Sequence, residues 1–128
     1  MYFISIKRHF DAAHRLLNYP GKCANLHGHR WEVEVIVKGN GLNQLGMVTD
    51  FGSIKSTLDR YLESLDHSLL LSNRETEKFK DTSHIMFDPN PTAEVLSKEI
   101  YKFLKKEYIP VYEVRVFESP DCWAGYRE

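Results

Sequence analysis

The run His27-Gly28-His29-Arg30-Trp31-Glu32-Val33-Glu34-Val35-Ile36-Val37-Lys38 limits what this chain can fold into more than any other stretch. Successive side chains of a β-strand point to opposite faces, so an alternating sequence offers one face to a core and the other to water. Trp31, Val33, Val35 and Val37 share the odd-numbered face, while Glu32, Glu34 and Lys38 share the other. A helix would scatter these apolar residues around its circumference, so the run reads as a half-buried strand of an antiparallel sheet. Gly39-Asn40-Gly41 follows as a turn. His27 and His29 have the same parity as Trp31, and a strand that begins early enough carries both imidazoles on its own apolar face.

The remaining elements follow from the same kind of pattern. Residues 2 to 10 alternate weakly, with Tyr2, Ile4 and Ile6 set against Ser5 and Lys7. Asp50 is placed to cap a helix in which Phe51, Ile54, Leu58, Tyr61, Leu62 and Leu65 recur at helical spacing. Thr92 caps a second helix with Leu96, Ile100, Phe103 and Leu104 as its apolar stripe and Lys102, Lys105 and Lys106 on its solvated side; Pro110 stops it. Val111 to Ser119 alternates again, placing Tyr112, Val114 and Val116 on one face, and Cys122 to Tyr126 makes a final short strand. Residues 72 to 91 form a polar excursion, with His84 to Phe87 as a candidate short strand. The order strand, strand, helix, helix, strand, strand predicts an α+β domain with both helices on one face of an antiparallel sheet.

Composition excludes several classes of function. At 128 residues the chain is expected to form a single domain over 1–128, and a formal net charge of -1 leaves no basic excess to attract a phosphate backbone. No direct nucleic-acid partner is expected. No apolar run approaches the roughly 20 residues of a membrane span, and MYFISIKRHF lacks the long apolar centre of a signal peptide. A cytoplasmic protein with no membrane partner is therefore expected. Two cysteines, Cys23 and Cys122, are too few for a disulfide framework. In a reducing compartment a cysteine near histidines is a ligand, a nucleophile or an inert thiol.

Two imidazoles about 7 Å apart along one strand face converge on a single ion or simply hydrogen-bond to their surroundings. Gly28 between them lets the backbone fit closely. A catalytic zinc takes three protein ligands and keeps a fourth position open, so a third ligand is needed. His14 of FDAAHR is the best candidate, because it follows the first strand and an antiparallel hairpin returns the chain beside it. His9 and His84 read as solvated or structural. Cys23 is either a further ligand, which would close the site, or a base or nucleophile beside an open metal. Asp66-His67, just past the first helix, is either an Asp-oriented imidazole able to partner Cys23 or a polar helix end where the dipole favours histidine. Glu118 shares the parity of Val114 and Val116. It either grips a ring with adjacent N–H donors through two parallel hydrogen bonds or lies exposed beyond the strand.

Five segments, FDAAH, CANLHGH, LDH, NPTAE and FESP, stand in an order that resembles the 6-pyruvoyl-tetrahydropterin synthase family, over residues 3 to 126. The resemblance implies the tunnelling fold: a four-stranded antiparallel sheet with two helices on one face, in the order ββααββ. It implies a homo-oligomer, trimer or hexamer, joined through sheet edges with active sites between subunits. It also implies zinc held by His14, His27 and His29, Cys23 as proton acceptor, Asp66 and His67 in support of proton transfer, Glu118 anchoring the pterin ring and Thr92 lining the pterin pocket. The three residues between Cys23 and His27 resemble the bacterial carboxy-forming branch; animal pyruvoyl-forming enzymes usually carry a longer gap. The implied substrate is 7,8-dihydroneopterin triphosphate, and the implied products are 6-carboxytetrahydropterin, acetaldehyde and triphosphate, on the route to queuosine. Lys22, Arg15 and Arg30 are the cations nearby in sequence for the triphosphate. The rival readings are a pyruvoyl-forming enzyme of the same fold, a non-catalytic zinc or pterin-binding module, and a metal-dependent hydrolase using HGH alone.

Overall fold

The computed structural model describes residues 1–128. Its spine is a hairpin of β1 (Tyr2–His14) and β2 (His27–Gly39), paired antiparallel from Tyr2 opposite Gly39 to His14 opposite His27. This register sets the even-numbered side chains of β1 beside the odd-numbered side chains of β2. Ile6 and Phe10 accordingly join Trp31, Val33, Val35 and Val37 in the core.

The chain continues through α1 (Phe51–Leu65), β3 (Leu69–Ser72), β4 (His84–Phe87), α2 (Ala93–Lys106), β5 (Val111–Ser119) and β6 (Cys122–Tyr126). The strands form one sheet in the order β4-β3-β1-β2-β5-β6. The expected four-stranded antiparallel sheet is thus corrected to a six-stranded mixed sheet, in which β3 runs parallel to β1 and β4 parallel to β3. The physical reason lies in Leu69-Leu70-Leu71-Ser72, all of which are buried. A strand covered on both faces has no period-two signal, and this one follows so closely on the stripe of α1 that it reads as its tail. The helix acts as the crossover that returns the chain alongside β1, pairing His14 with Leu70.

Both helices cover the same face of the sheet. Ile54, Leu58, Leu62 and Leu65 from α1 and Leu96, Ile100 and Leu104 from α2 enter a single cluster of 21 buried residues with the core face of the hairpin. Each such side chain contributes about 1.5–3 kcal/mol by leaving water. The caps form as the sequence predicts: Asp50 accepts the Gly52 N–H at 2.7 Å and Thr92 Oγ1 the Val95 N–H at 3.2 Å. No helix is long and apolar enough to cross a membrane.

One parity expectation fails. The pairing of β2 with β5 shifts between Ile36 and Val37, so Val37 faces Val111 and Val111 takes the buried place. Tyr112 turns to the uncovered face instead, its ring 5.8 Å from that of Phe3 and 4.4 Å from Lys38 Nζ.

Candidate active site

The apolar stripe of the hairpin changes into imidazoles rung by rung. Phe10 and Trp31 are cross-strand partners with parallel rings 5.9 Å apart; Ala12 faces His29 on the next like-facing rung, and His14 faces His27 on the one after. Trp31 closes the bottom of the cluster, its ring edge-on to His14 at 4.8 Å and near His29 at 5.1 Å. Its indole N–H donates to the Ala12 carbonyl at 3.2 Å. The ligand atoms of His14, His27 and His29 lie within 4.8 Å of one another. His14, in the strand between β2 and β3, is 2% exposed.

Proton placement decides what the cluster is suited to hold. His14 Nδ1 lies 2.8 Å from the Pro91 carbonyl and His27 Nδ1 lies 2.6 Å from the Asn25 carbonyl. A carbonyl only accepts, so each neutral ring spends its one N–H there and presents a bare Nε2. The two Nε2 atoms nonetheless face each other at 3.0 Å. Two lone pairs at that distance repel unless a cation stands between them. The Nε2 of His29 is also buried without a hydrogen-bond partner.

Burial disfavours a proton on two of the three rings. Burial lowers the pKa of His14 to about 4, with His27 and His29 adding to the effect and the Pro91 carbonyl opposing it. His29 is lowered as well, first by burial, against the pull of Glu118 and with the push of His27. Three imidazoles converging on one point, two of them oriented by backbone carbonyls, suit a divalent metal. The donor set fits zinc among others.

The other expected residues are placed as follows. Cys23 sits half-buried on a 3-10 turn, Lys22–Ala24, that leads through Asn25 into His27. Asp66 and His67 follow α1 as a formed pair, with Asp66 Oδ2 3.0 Å from His67 Nδ1. His67 itself adopts a left-handed backbone conformation, φ 58°, in the turn between α1 and β3. The Asp11 N–H donates to Asp66 Oδ1 at 2.9 Å, and this bond and then His67 hold the Asp66 carboxyl below its usual range. The thiol of Cys23 and the Asp66–His67 pair share no hydrogen bond within the chain.

Glu118 extends toward the histidines, its Oε2 3.9 Å from His29 Nε2, and is partly exposed. It borders a cavity of about 670 Å³ with His29, Arg30, Glu32 and Phe117. A second cleft of about 560 Å³, with His29, Leu26, Asp11 and His67 in its wall, lies across residues 28 to 30. The Thr92 hydroxyl is committed to capping α2. Gly28 is not held to glycine by close packing, since a Cβ there would meet the Ala12 carbonyl at an ordinary 3.7 Å. His9 pairs with Glu32 at 2.9 Å and His84 with the Thr82 carbonyl at 3.2 Å, apart from the triad.

Among the three cations considered for a triphosphate, Arg15 is engaged elsewhere. It donates to both oxygens of Glu75 at 2.6 and 2.7 Å and meets Glu77 at 3.1 Å. This fork ties the start of the excursion to the residue after His14 and holds the nearly buried Glu75 carboxyl below its usual range. Lys22 is exposed, and Arg30, 69% exposed, meets Asp11 Oδ2 only at 3.8 Å, so both are more open to an anion than Arg15. Sequence reasoning missed Asn90 and the Pro91 carbonyl. The only local signal was the NPT triplet itself, which reads as a turn before a helix cap.

A mixed α+β sheet whose central hairpin ends in three convergent imidazoles, with a carboxylate beside the third, defines an α+β domain with a candidate metal centre. The chain belongs to the 6-pyruvoyl tetrahydropterin synthase family, whose model matches residues 3–128. It is 36% identical over 126 residues to a 6-carboxy-5,6,7,8-tetrahydropterin synthase of Rickettsia bellii, covering 89% of this chain and 91% of that protein. It is 30% identical over 143 residues to the protein of the same name from Haemophilus influenzae, covering the whole of both. The solved structure of Plasmodium falciparum 6-pyruvoyl tetrahydropterin synthase superposes with a TM-score of 0.79 over 99% of this chain and 97% of that one; at 22% identity this likeness concerns the fold.

Proposed function

We propose that this protein is a zinc-dependent lyase that converts 7,8-dihydroneopterin triphosphate and one water to 6-carboxy-5,6,7,8-tetrahydropterin, acetaldehyde and triphosphate on the route to queuosine. The observation that carries the metal is the approach of His14 Nε2 and His27 Nε2 to 3.0 Å while the Nδ1 of each ring faces a backbone carbonyl. The carboxy product is supported by the relatives that bear that name and by the three-residue gap from Cys23 to His27. Zinc on His14, His27 and His29 would keep a coordination position open and stabilise negative charge developing on a side-chain hydroxyl of the substrate.

Glu118 suits the pterin ring, whose adjacent N–H donors match the two carboxylate oxygens. With the ring held there, the substrate's side chain extends past His29 toward the triad. Cys23 takes a proton from that side chain. His67 returns or relays protons through Nε2, because Nδ1–H is spent on Asp66, whose lowered pKa keeps it an acceptor at neutral pH. Thr92 contributes to the pocket through its backbone, its hydroxyl being the helix cap.

Cys23 and His67 work together across a subunit boundary in a homo-oligomer, a trimer or hexamer. The open edges of β4 and β6 support assembly, since an unpaired strand edge seeks a partner. The two free thiols support a cytoplasmic setting. The test is product identification with the triphosphate substrate. Acetaldehyde released in step with triphosphate is expected; triphosphate released without acetaldehyde would assign the pyruvoyl reaction instead.

A further inference from the structure

The loop from Arg15 to Leu26 joins β1 to β2 and carries Cys23. At its far end it is tied to the triad, for the Asn25 carbonyl accepts from His27 Nδ1 at 2.6 Å and the Asn25 N–H donates to the Lys22 carbonyl at 2.9 Å. At its near end the Leu16 N–H donates to the carbonyl of Cys23 itself at 2.9 Å, so the thiol's position follows that of residues 16 and 17. Asn90 grips this point. Its Oδ1 accepts the Leu17 N–H at 2.8 Å and its amide N–H donates to the Leu17 carbonyl at 3.2 Å, so the side chain replaces a neighbouring strand for one residue. The next carbonyl, that of Pro91, accepts from His14 Nδ1 at 2.8 Å. Thr92 then begins α2, whose buried stripe anchors the whole turn to the core.

We propose that Asn90 is a positioning residue for Cys23: its paired hydrogen bonds to Leu17 set where the thiol stands relative to His14, His27 and His29. The proposal deepens the reading of Cys23 as proton acceptor and rests on that reading for its kinetic arm alone. Asn90 and Pro91 divide the work. Pro91 orients the ligand His14 through a backbone carbonyl that substitution of Asn90 leaves in place. The amide of Asn90 orients the cysteine loop and makes no hydrogen bond to a core side chain. Removing that amide should therefore move the thiol and spare the metal.

The test uses the zinc-loaded protein carrying Cys122→Ser, so that Cys23 is the one remaining thiol of the two. For Asn90→Ala the alkylation rate of Cys23 by iodoacetamide should change severalfold and kcat should fall about tenfold, with KM and bound zinc per chain unchanged. Asn90→Asp keeps the acceptor for the Leu17 N–H and should lie between Asn90→Ala and the parent, which also provides a reading if Asn90→Ala folds poorly. An alkylation rate equal to the parent's in both variants would overturn the proposal. Loss of zinc in proportion to lost activity, with alkylation unaltered, would overturn it too by showing a role confined to the metal site. Failure of the parent to turn over the triphosphate would sink the functional reading, and the alkylation and zinc measurements would still decide the role of Asn90.

Discussion

The three histidines and the group formed by Cys23, Asp66 and His67 are built by opposite means. His14, His27 and His29 stand on two adjacent strands, locked by cross-strand register and backed by Trp31, with His14 and His27 oriented by backbone carbonyls. Cys23 stands on a 3-10 turn, and Asp66 and His67 stand past a helix end, with the His67 side chain 80% exposed. A metal ion requires several donors held about 2 Å from one point, and strand pairing supplies that precision within one chain. The groups proposed to carry protons would meet a substrate that enters and leaves, and they stand on turns and helix ends rather than on the paired strands.

The largest effect that can break this contrast is removal of a triad member. His14→Ala should abolish stoichiometric zinc binding and lower turnover by on the order of a thousandfold or more. Metal analysis of the purified variant checks it, and full metal retention would mean that the triad is not the metal centre. Next comes the acid-base group. Cys23→Ala should keep its zinc and lose on the order of a hundredfold in kcat. Cys23→Ala and His67→Ala chains, each strongly impaired, should regain part of the lost activity when refolded together. No recovery in the mixture would place both groups in the site of a single chain.

The triad should also leave a signature in the stability of the metal-free protein. His14 has a folded pKa of about 4, below its ordinary 6.5, so as pH falls the unfolded chain takes up the proton first. Stability contributed by the neutral ring is present above about 6.5 and is lost as pH drops toward 4, by roughly 2–4 kcal/mol. Denaturant midpoints at neutral and mildly acidic pH should show this fall in the metal-free protein and a flatter profile in His14→Gln. Equal slopes would remove the distinction between a buried ligand cluster and exposed histidines. The smallest effect belongs to Asp66→Asn, which keeps an acceptor near His67 but removes its charge. It should cost about tenfold in kcat with zinc binding unchanged, measured by steady-state kinetics.

Strict alternation made the site's metal half legible in advance. With His27 and His29 in phase with Trp31 and His14 expected to return beside them in an antiparallel hairpin, the three were candidates for one cluster, and the register brings them together on one face. Glu118 was legible by the same parity, because the count from Val114 and Val116 carries it to the end of β5 that borders His29. Where that period is broken or absent, the reading failed. Leu69 to Ser72 are buried throughout and carry no alternation, which hid β3 and with it the parallel half of the sheet. The bulge opposite Val111 reversed the facing of Tyr112. Arg15 was available to an anion on sequence grounds, yet Glu75, 60 positions away, already occupies it.

The sequence alone determined which residues share a face, where the helices are capped and which three imidazoles meet, because these depend on periods of two and of about 3.6 residues and on a single local pairing. Tertiary structure alone decided the six-strand order, the pairing of Arg15 with Glu75, the proton placement on His14 set by the Pro91 carbonyl and the hold of Asn90 on the cysteine loop. Those contacts join residues 60 to 77 positions apart, in part through backbone groups that every residue carries. A backbone carbonyl looks the same at every position until the fold has chosen its partner.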